Sequence, residues 1–186
     1  MNNTDNGGYD LEGVIWHQHS NKLMKAMLEL WPEKDKAIID IGCGHNFYAS
    51  VFRYAGYFAD GVDSVQLKGV DYCRDITKNL AQEIPWHKYS RVISLEVGEH
   101  IPDNLADAYL GNITSFGDDI IMSWAVPGQA GVGHINCRPY EWVTSKMFDR
   151  GFIIDADRTA FLRNAVSGCH CSWFQNTLMY FRRDKK

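Results

Sequence analysis

An apolar run ends in an acid and two glycines at Ala37-Ile38-Ile39-Asp40-Ile41-Gly42-Cys43-Gly44. The apolar residues before the acid predict a buried strand, and the glycines allow a turn in which a side chain would block a ligand. Beyond this turn, apolar residues recur at the spacing of an amphipathic helix that Gly56 ends. They are Phe47, Tyr48, Val51, Phe52, Tyr54 and Ala55. The stretch therefore predicts a strand, a glycine turn and a helix.

A second predicted strand follows Gly56 and also ends in an acid. It runs through Tyr57-Phe58-Ala59-Asp60-Gly61-Val62-Asp63. An acid about twenty residues beyond a glycine turn, at the end of the neighbouring strand, is placed to hold the hydroxyls of a ribose. The loop Gly42-Cys43-Gly44-His45-Asn46-Phe47 lacks the third glycine of a nicotinamide-binding turn. The pattern thus favours a nucleoside cofactor other than a nicotinamide dinucleotide.

The order Asp-Ile-Gly-Cys-Gly, helix, Gly-Val-Asp resembles the first two motifs of class I S-adenosylmethionine-dependent methyltransferases. The resemblance runs from Ile38 to the C-terminus. It implies an α/β fold, in which a Rossmann-like, seven-stranded, mostly parallel sheet carries helices on both faces and its last strand is antiparallel. It also implies that the cofactor is S-adenosylmethionine and that the reaction is methyl transfer.

The resemblance assigns the residues that would hold this donor. Asp40 and the turn backbone would approach its methionine part, Asp63 its ribose hydroxyls, and Asp75 its adenine amine. Asp71 is the rival of Asp75, because the chain after Asp63 is too short for a full crossover helix. The complete cofactor-binding set, with the last two residues as a wall below the methionine, is Asp40, Gly42, Cys43, Gly44, Asp63, Asp75, Ile76, Leu95 and Glu96.

Five further strands and one long connection are predicted. The third strand is expected within Gly69–Ile76, the fourth over Arg91–Val97 and the fifth over Asp119–Val126. The last two strands are expected over Phe152–Ala156 and Thr177–Phe181. A long connection over Arg158–Asn176 joins these two. Catalytic groups in open α/β sheets lie beyond the carboxyl ends of strands. The fourth strand leads to Glu99 and His100, and a glycine-rich loop with His134 follows the fifth. We expect His134 or His100, with Glu99, to act as the general base.

The same cluster permits another interpretation. Two carboxylates and two imidazoles, from Glu96, Glu99, His100 and His134, could hold a divalent cation. The set resembles the metal site of small-RNA 2′-O-methyltransferases, and its first three residues resemble that of some ubiquinone-pathway O-methyltransferases. Similar Glu-x-x-Glu-His stretches occur in methyltransferases without a known metal, where the histidine closes the loop. We therefore expect a basic or structural role for the histidines and no metal.

The length and composition of the chain limit the number of domains and the cellular compartment that we expect. A chain of 186 residues is most economically one domain. Residues 1–31 are expected to form a mobile tail and a helical lid, with Trp16 and His17 as candidates to cover the cofactor. No apolar run reaches the roughly 18 residues of a membrane span, and residues 1–5 have no signal-peptide character. The expectation is a cytoplasmic protein without a membrane partner, whose five cysteines are reduced.

The net charge of the chain indicates which class of methyl acceptor is expected. A formal charge of -4 gives no general attraction to phosphate backbones, which disfavours nucleic acid. The leading hypothesis is therefore methyl transfer to a small molecule or a glycan sugar. Two alternatives stay open, a metal-assisted RNA 2′-O-methyltransferase and a non-catalytic nucleotide-binding module. The second alternative rests on His45 and Asn46, which stand where many relatives have a small residue and a glycine.

Overall fold

The computed structural model describes residues 5–6, 18–84 and 89–185. The predicted lid residues Trp16 and His17 lie outside the described residues. The strands are β1 (Ala37–Ile41), β2 (Ala59–Asp63), β3 (Tyr72–Cys73), β4 (Tyr89–Ser94), β5 (Asp119–Ser123), β6 (Phe152–Ile154) and β7 (Leu178–Arg183). The α-helices are α1 (Asn21–Leu30), α2 (Phe47–Tyr54), α3 (Leu80–Glu83), α4 (Ala106–Phe116), α5 (Tyr140–Phe148), α6 (Ala156–Ala165) and α7 (Phe174–Thr177).

The strands form one seven-stranded sheet in the order β3-β2-β1-β4-β5-β7-β6. The pairs from β3 to β5 are parallel, whereas β7 lies antiparallel between β5 and β6. This arrangement confirms the predicted fold class. The strand order reverses between β1 and β4, and ligands of open α/β sheets bind outside the carboxyl ends of the strands at such a point.

Helices cover both faces of the sheet. Neighbouring residues of a strand point to opposite faces and therefore belong to different cores. Ile39 of β1 belongs to a core with Tyr109 of α4 and Met147 of α5. Its neighbour Ile38 belongs to a second core with Leu23 of α1 and Phe52 of α2. Helices on both faces were expected, and the two cores fix β1 between them, so that the turn after β1 starts from a rigid position.

The connection between the last two strands is the long one expected over Arg158–Asn176, and the structure shows that much of it is helical. It forms α6, which the carboxylate of Asp155 caps by accepting a hydrogen bond from the backbone N–H of Arg158 at 3.0 Å. Only Thr159 and Leu162 of this helix are buried. The helix therefore lacks the regular apolar spacing by which helices are predicted.

Several strand ends also differ from the prediction. The predicted fourth strand stops at Ser94 instead of Val97, because Glu96 has a φ of 53°, which is incompatible with a strand. The third strand is only Tyr72–Cys73, and as expected no helix precedes it after β2.

Among the described helices, none has the length and apolar character that crossing a bilayer requires.

Candidate active site

The turn after β1 is tied to β2. The backbone N–H groups of Gly42 and Cys43 both donate to the carbonyl of Val62, at 2.8 and 3.1 Å. Gly42 has a φ of 79°, and a Cβ placed there would lie 2.5 Å from the Val97 side chain. Only glycine satisfies both the backbone conformation and the close approach of Val97. The turn therefore packs closely against Val97 in the segment that follows β4.

Asn46 occupies the position where a glycine is common in the resembled family. It adopts left-handed backbone angles, φ 57° and ψ 37°, which asparagine tolerates better than most residues. Its side-chain NH₂ donates to the carbonyl of Gly69 at 2.6 Å and to the carboxylate of Asp71 at 2.8 Å. Asn46 thus supplies the backbone conformation of a glycine, so its presence does not disrupt the turn.

Asp71 is committed to structural contacts. One of its carboxylate oxygens accepts from the backbone N–H of Gly61 at 2.8 Å and from Arg53 of α2 at 2.7 Å, in addition to Asn46. These bonds join α2, β2 and the connection to β3. Of the two rival acids, Asp75 is therefore the better candidate for the adenine end.

Asp63 is the last residue of β2 and lies beside the glycine turn. Its carboxylate accepts from the backbone N–H of Gly44 at 2.9 Å and of Val65 at 3.0 Å. Burial raises its pKa, although these hydrogen bonds act in the opposite direction. A carboxylate has about four acceptor positions, so these two bonds leave capacity for two ribose hydroxyls.

Asp75 follows β3, the parallel neighbour of β2. Its Oδ1 accepts from the backbone N–H and the hydroxyl of Thr77, at 2.9 and 2.6 Å. Burial raises the pKa of Asp75, but the Thr77 bonds outweigh it and leave the pKa below its ordinary value. The neighbouring Ile76 is buried, and its N–H donates to the hydroxyl of Ser64 at 3.2 Å. Asp75 is thus an ionised acceptor at the same sheet edge as Asp63.

Asp40 is a buried acid whose Oδ2 has no hydrogen-bond partner among the described residues. Burial, with a smaller contribution from the negative charge of Asp63, raises its pKa to about 8. An unpartnered carboxylate in a buried position is unfavourable unless a cation joins it. The α-ammonium group of a methionine moiety is such a cation, so the described residues fit S-adenosylmethionine.

Asp40→Asn is expected to change stability and donor binding in opposite directions. The pKa of Asp40 rises from 3.8 to about 8 on folding, so its contribution to the free energy of unfolding is full below pH 3.8 and is lost as the pH rises through 8. The variant lacks this loss. Between pH 3.8 and 8, the free energy of unfolding of the variant should increase relative to that of wild type by up to about 1.4 kcal/mol per pH unit. Its affinity for S-adenosylmethionine at pH 7 should fall about tenfold or more, because a charge-assisted bond is lost.

Urea unfolding at pH 5 and pH 8 measures the first effect, and calorimetric titration with the donor measures the second. Asp35→Asn is the control, since Asp35 is an exposed acid just before the same strand. A variant whose stability relative to wild type is the same at both pH values would contradict this role of Asp40.

Glu96 and Glu99 bring two carboxylates to the tips of β4 and β5. Glu96 is held in its left-handed conformation by Ser123 of β5, whose hydroxyl accepts from the Glu96 N–H at 2.8 Å. Its Oε2 accepts from the side chain of Gln129 at 2.8 Å. Glu99 is fully buried, and neither carboxylate oxygen has a partner in normal hydrogen-bond geometry among the described residues. Burial raises the pKa of both acids, and Glu96 raises that of Glu99 further.

His134 lies against Glu99 in the loop that follows β5. Its Nδ1 is 3.2 Å from the carbonyl of Gln129, and its Nε2 is 3.8 Å from Oε1 of Glu99. A carbonyl only accepts, so Nδ1 must carry the proton and Nε2 is the basic nitrogen. A Cβ on Gly131 would lie 2.1 Å from Nε2, so the glycine backbone packs directly against the ring. His134 therefore has a defined tautomer and orientation.

His100 has a different position. It is buried, and its Nδ1 is 3.1 Å from the carbonyl of Gly133 in the loop after β5. The rings of His100 and His134 are 5.1 Å apart and nearly perpendicular, at 74°. Of the two predicted bases, His100 fastens the loop, and His134 is the one better placed to take a proton.

The ligand atoms of three predicted residues lie within 4.8 Å of one another: Glu99, His100 and His134. Glu96 is not part of this group, so the described geometry supports three of the four ligands considered in the sequence. Leu95 and Glu96 stand directly beyond β4, and Cys43 lies in the turn after β1, with its thiol pKa raised by burial.

Three residues of the site escaped prediction. Ser123 and Gln129 hold Glu96, as described above. Asn136 holds the loop, since its side chain donates to the carbonyl of Ile101 at 3.0 Å and its own carbonyl accepts from the indole of Trp124 at 2.7 Å. Their roles depend on contacts across strands, for which the sequence carries no local signal.

Solved structures share this fold. Magnesium protoporphyrin IX methyltransferase from Synechocystis PCC 6803, with S-adenosylmethionine bound, is 17% identical with a TM-score of 0.61, and the match covers 92% of this chain and 88% of that one. The sugar N-methyltransferase KedS8 from Streptoalloteichus sp. ATCC 53650 is 11% identical with a TM-score of 0.61, over 94% and 90% of the two chains. The small RNA methyltransferase HEN1 is 16% identical with a TM-score of 0.60, over 87% of this chain and 25% of that one.

No family model and no curated protein matches the chain. The structural likeness, at these low identities, shows the methyltransferase fold alone. This fold supports more than one reaction, since the [4+2]-cyclase SpnF also matches, with a TM-score of 0.60 and 12% identity over 95% of this chain and 85% of that one. Function must be argued from the site.

Proposed function

We propose that this protein is an S-adenosylmethionine-dependent methyltransferase acting on a hydroxyl of a small molecule or sugar. The observation that carries the proposal is the pair of acids at the tips of β1 and β2. Asp40 offers an ammonium a buried carboxylate whose Oδ2 has no hydrogen-bond partner in the described part of the chain, and Asp63 keeps acceptor capacity for two hydroxyls. In the turn between them, Gly42 and Gly44 have no side chains that would block a nucleoside.

Different described residues would contact different parts of the donor. Asp40 would pair with the α-ammonium, Asp63 with the ribose hydroxyls and Asp75 with the adenine amine. Leu95 and Glu96 would line the methionine part from the tip of β4. When bound, S-adenosylmethionine supplies an electrophilic methyl group whose bond to sulfur breaks as a bond to the acceptor oxygen forms.

Residues at the tips of β4 and β5 would activate the acceptor hydroxyl by removing its proton. Nε2 of His134 takes the hydroxyl proton while the oxygen attacks, because Nδ1 is held protonated by the Gln129 carbonyl. The imidazolium that forms lies 3.8 Å from Glu99, whose carboxylate stabilises the charge. The remaining work is to hold donor and acceptor in line.

The proposal includes the chain before β1. We propose one domain over residues 1–186, with residues 1–31 as a tail and a helical lid. The Asn6 side chain hydrogen-bonds Asp75, and the ring of His19 stacks on Phe47 with 3.8 Å between centroids. These contacts place Asn6 and His19 at the rim of the donor site. We place the protein in the cytoplasm, which agrees with its five unpaired cysteines.

Transfer of a labelled methyl group tests the proposal. The protein is incubated with methyl-labelled S-adenosylmethionine and a panel of alcohols, phenols and sugars, and S-adenosylhomocysteine is quantified. Acceptor-dependent formation of S-adenosylhomocysteine is the expected result. A protein that fails to bind the donor at millimolar concentration would instead be a module of another kind, and the proposal would be wrong.

A second candidate function is metal-assisted methylation of an RNA 2′-hydroxyl. The carboxylate of Glu99 favours it, because it is fully buried, has no hydrogen-bond partner among the residues that the structure describes, and has ligand atoms within 4.8 Å of those of two imidazoles. A divalent cation there would satisfy the carboxylate and polarise the hydroxyl. The acidic net charge opposes an RNA acceptor.

Removal of metal separates the two candidates. For the leading function, treatment with a chelator should leave methyl transfer within twofold, and Mg²⁺ or Mn²⁺ should give no binding heat that Glu99→Gln abolishes. The second candidate requires the opposite: activity lost on chelation, restored by the ion, and a titration heat absent in Glu99→Gln. Glu29→Gln, on exposed α1 surface, is the control.

A further inference from the structure

The loop between β5 and α5 is firmly anchored. The backbone N–H groups of Ile135 and Asn136 both donate to the carbonyl of Glu99 at 2.9 Å. The N–H of Arg138 donates to the carbonyl of Ala125 at 3.0 Å, and that of Gln129 donates to Val126 at 3.0 Å. Side chains of this loop are therefore presented in fixed positions beside the acceptor site.

Two apolar side chains of this loop are exposed. Val132 is 61% exposed and Ile135 is 57% exposed, whereas His134 between them is largely buried. Among the described residues, only two other large hydrophobic side chains are as exposed, Tyr54 and Phe148, while Phe58 is less exposed at 45%. These two aliphatic side chains bury little surface and so add little to the stability of the fold, and the anchored loop holds them within three residues of the base.

The depth of the site is polar and lined by acids, unlike this rim. Glu96 and Glu99 lie beside His134, and the one cation of residues 127–138 is Arg138. Its guanidinium already pairs with Asp103 and lies over the ring of Trp142 at 4.7 Å. An acceptor with its own carboxylate or phosphate would meet two acids and no available cation of this loop.

We infer that the acceptor is an uncharged molecule with an apolar body, whose body contacts Val132 and Ile135 while its hydroxyl reaches His134. The inference rests on the proposed function and narrows it, since it selects phenols and other apolar alcohols over sugars, acids and RNA. Val132 and Ile135 are then specificity-determining residues, which act on acceptor affinity and leave the donor site unchanged.

Equilibrium binding tests the inference without the need for turnover. The protein is first saturated with S-adenosylhomocysteine and then titrated with 4-ethylphenol, 4-hydroxybenzoate or methyl glucoside. The phenol should bind at least tenfold more tightly than the other two. Val132→Ser/Ile135→Ser should raise its Kd about tenfold, or 1.4 kcal/mol, through lost apolar contact. Tyr54→Ser/Phe148→Ser, which removes exposed side chains from α2 and α5, should leave the Kd unchanged.

The outcomes are distinguishable. A protein that does not bind S-adenosylhomocysteine contradicts the proposed function itself. A protein that binds it, but binds the phenol no better than the benzoate or the glucoside, overturns the inference about the acceptor. Equal phenol affinity in wild type and Val132→Ser/Ile135→Ser also overturns it, since both side chains are exposed and their replacement leaves the fold intact.

Discussion

Replacing His134 by alanine should lower kcat by about 10²–10⁴-fold, the usual range for loss of a general base. The Kd for S-adenosylmethionine should stay within twofold, because no donor contact is assigned to this residue. Without the imidazole the acceptor must lose its proton to hydroxide, so the residual rate should rise with pH. Single-turnover rates from pH 6 to 9, with donor titrations alongside, measure these effects.

His170→Ala is the matched control for this experiment, since His170 is an exposed histidine outside the site. Its kcat should equal that of wild type. His100→Ala is informative in another way, because His100 contacts the Gly133 carbonyl and fastens the loop. It should lower stability and raise the KM for the acceptor more than it lowers kcat. Full activity of His134→Ala would remove His134 from the reaction.

Asp63→Asn should raise the Kd for S-adenosylmethionine about 100-fold, through the loss of charged acceptors for the ribose hydroxyls. The amide also places an NH₂ group where Asp63 accepts from the N–H groups of Gly44 and Val65, so the turn loses a contact. The loss should appear in binding of adenosine and be absent for free methionine, which lacks the ribose. Calorimetric titration with all three ligands measures this pattern.

Asp60→Asn is the control for strand β2, since Asp60 accepts from the hydroxyl of Tyr89 at 2.6 Å and has no role in the donor site. Its donor affinity should match that of wild type. A Kd of Asp63→Asn equal to that of wild type would contradict the placement of the ribose.

The sequence could predict the parts of the fold whose signals are local. The strand, turn and helix from Ala37 to Tyr54 follow from apolar spacing and two glycines, and β2 with Asp63 follows from the same pattern. The antiparallel direction of the last strand, β7, came from the resemblance to a family and is confirmed. The roles of the predicted site residues stay predictions, although the structure brings most of them to the tips of β1, β2, β4 and β5.

The parts that could not be predicted depend on contacts between distant residues. The end of β4 at Ser94 depends on Ser123 of β5, which fixes the unusual backbone of Glu96. The choice between Asp71 and Asp75 depends on Arg53 of α2, which occupies the former. Neither contact leaves a trace in the spacing of apolar residues, which is the primary signal for secondary structure in a single sequence.

A crystal structure of the protein with S-adenosylhomocysteine tests the central claim most directly. The account predicts the nucleoside across the tips of β1 and β2, with both ribose hydroxyls within about 3 Å of the Asp63 carboxylate. The amino group should contact Asp40, and the sulfur should face His134. A nucleoside bound elsewhere, or one whose ribose does not contact Asp63, would contradict the account.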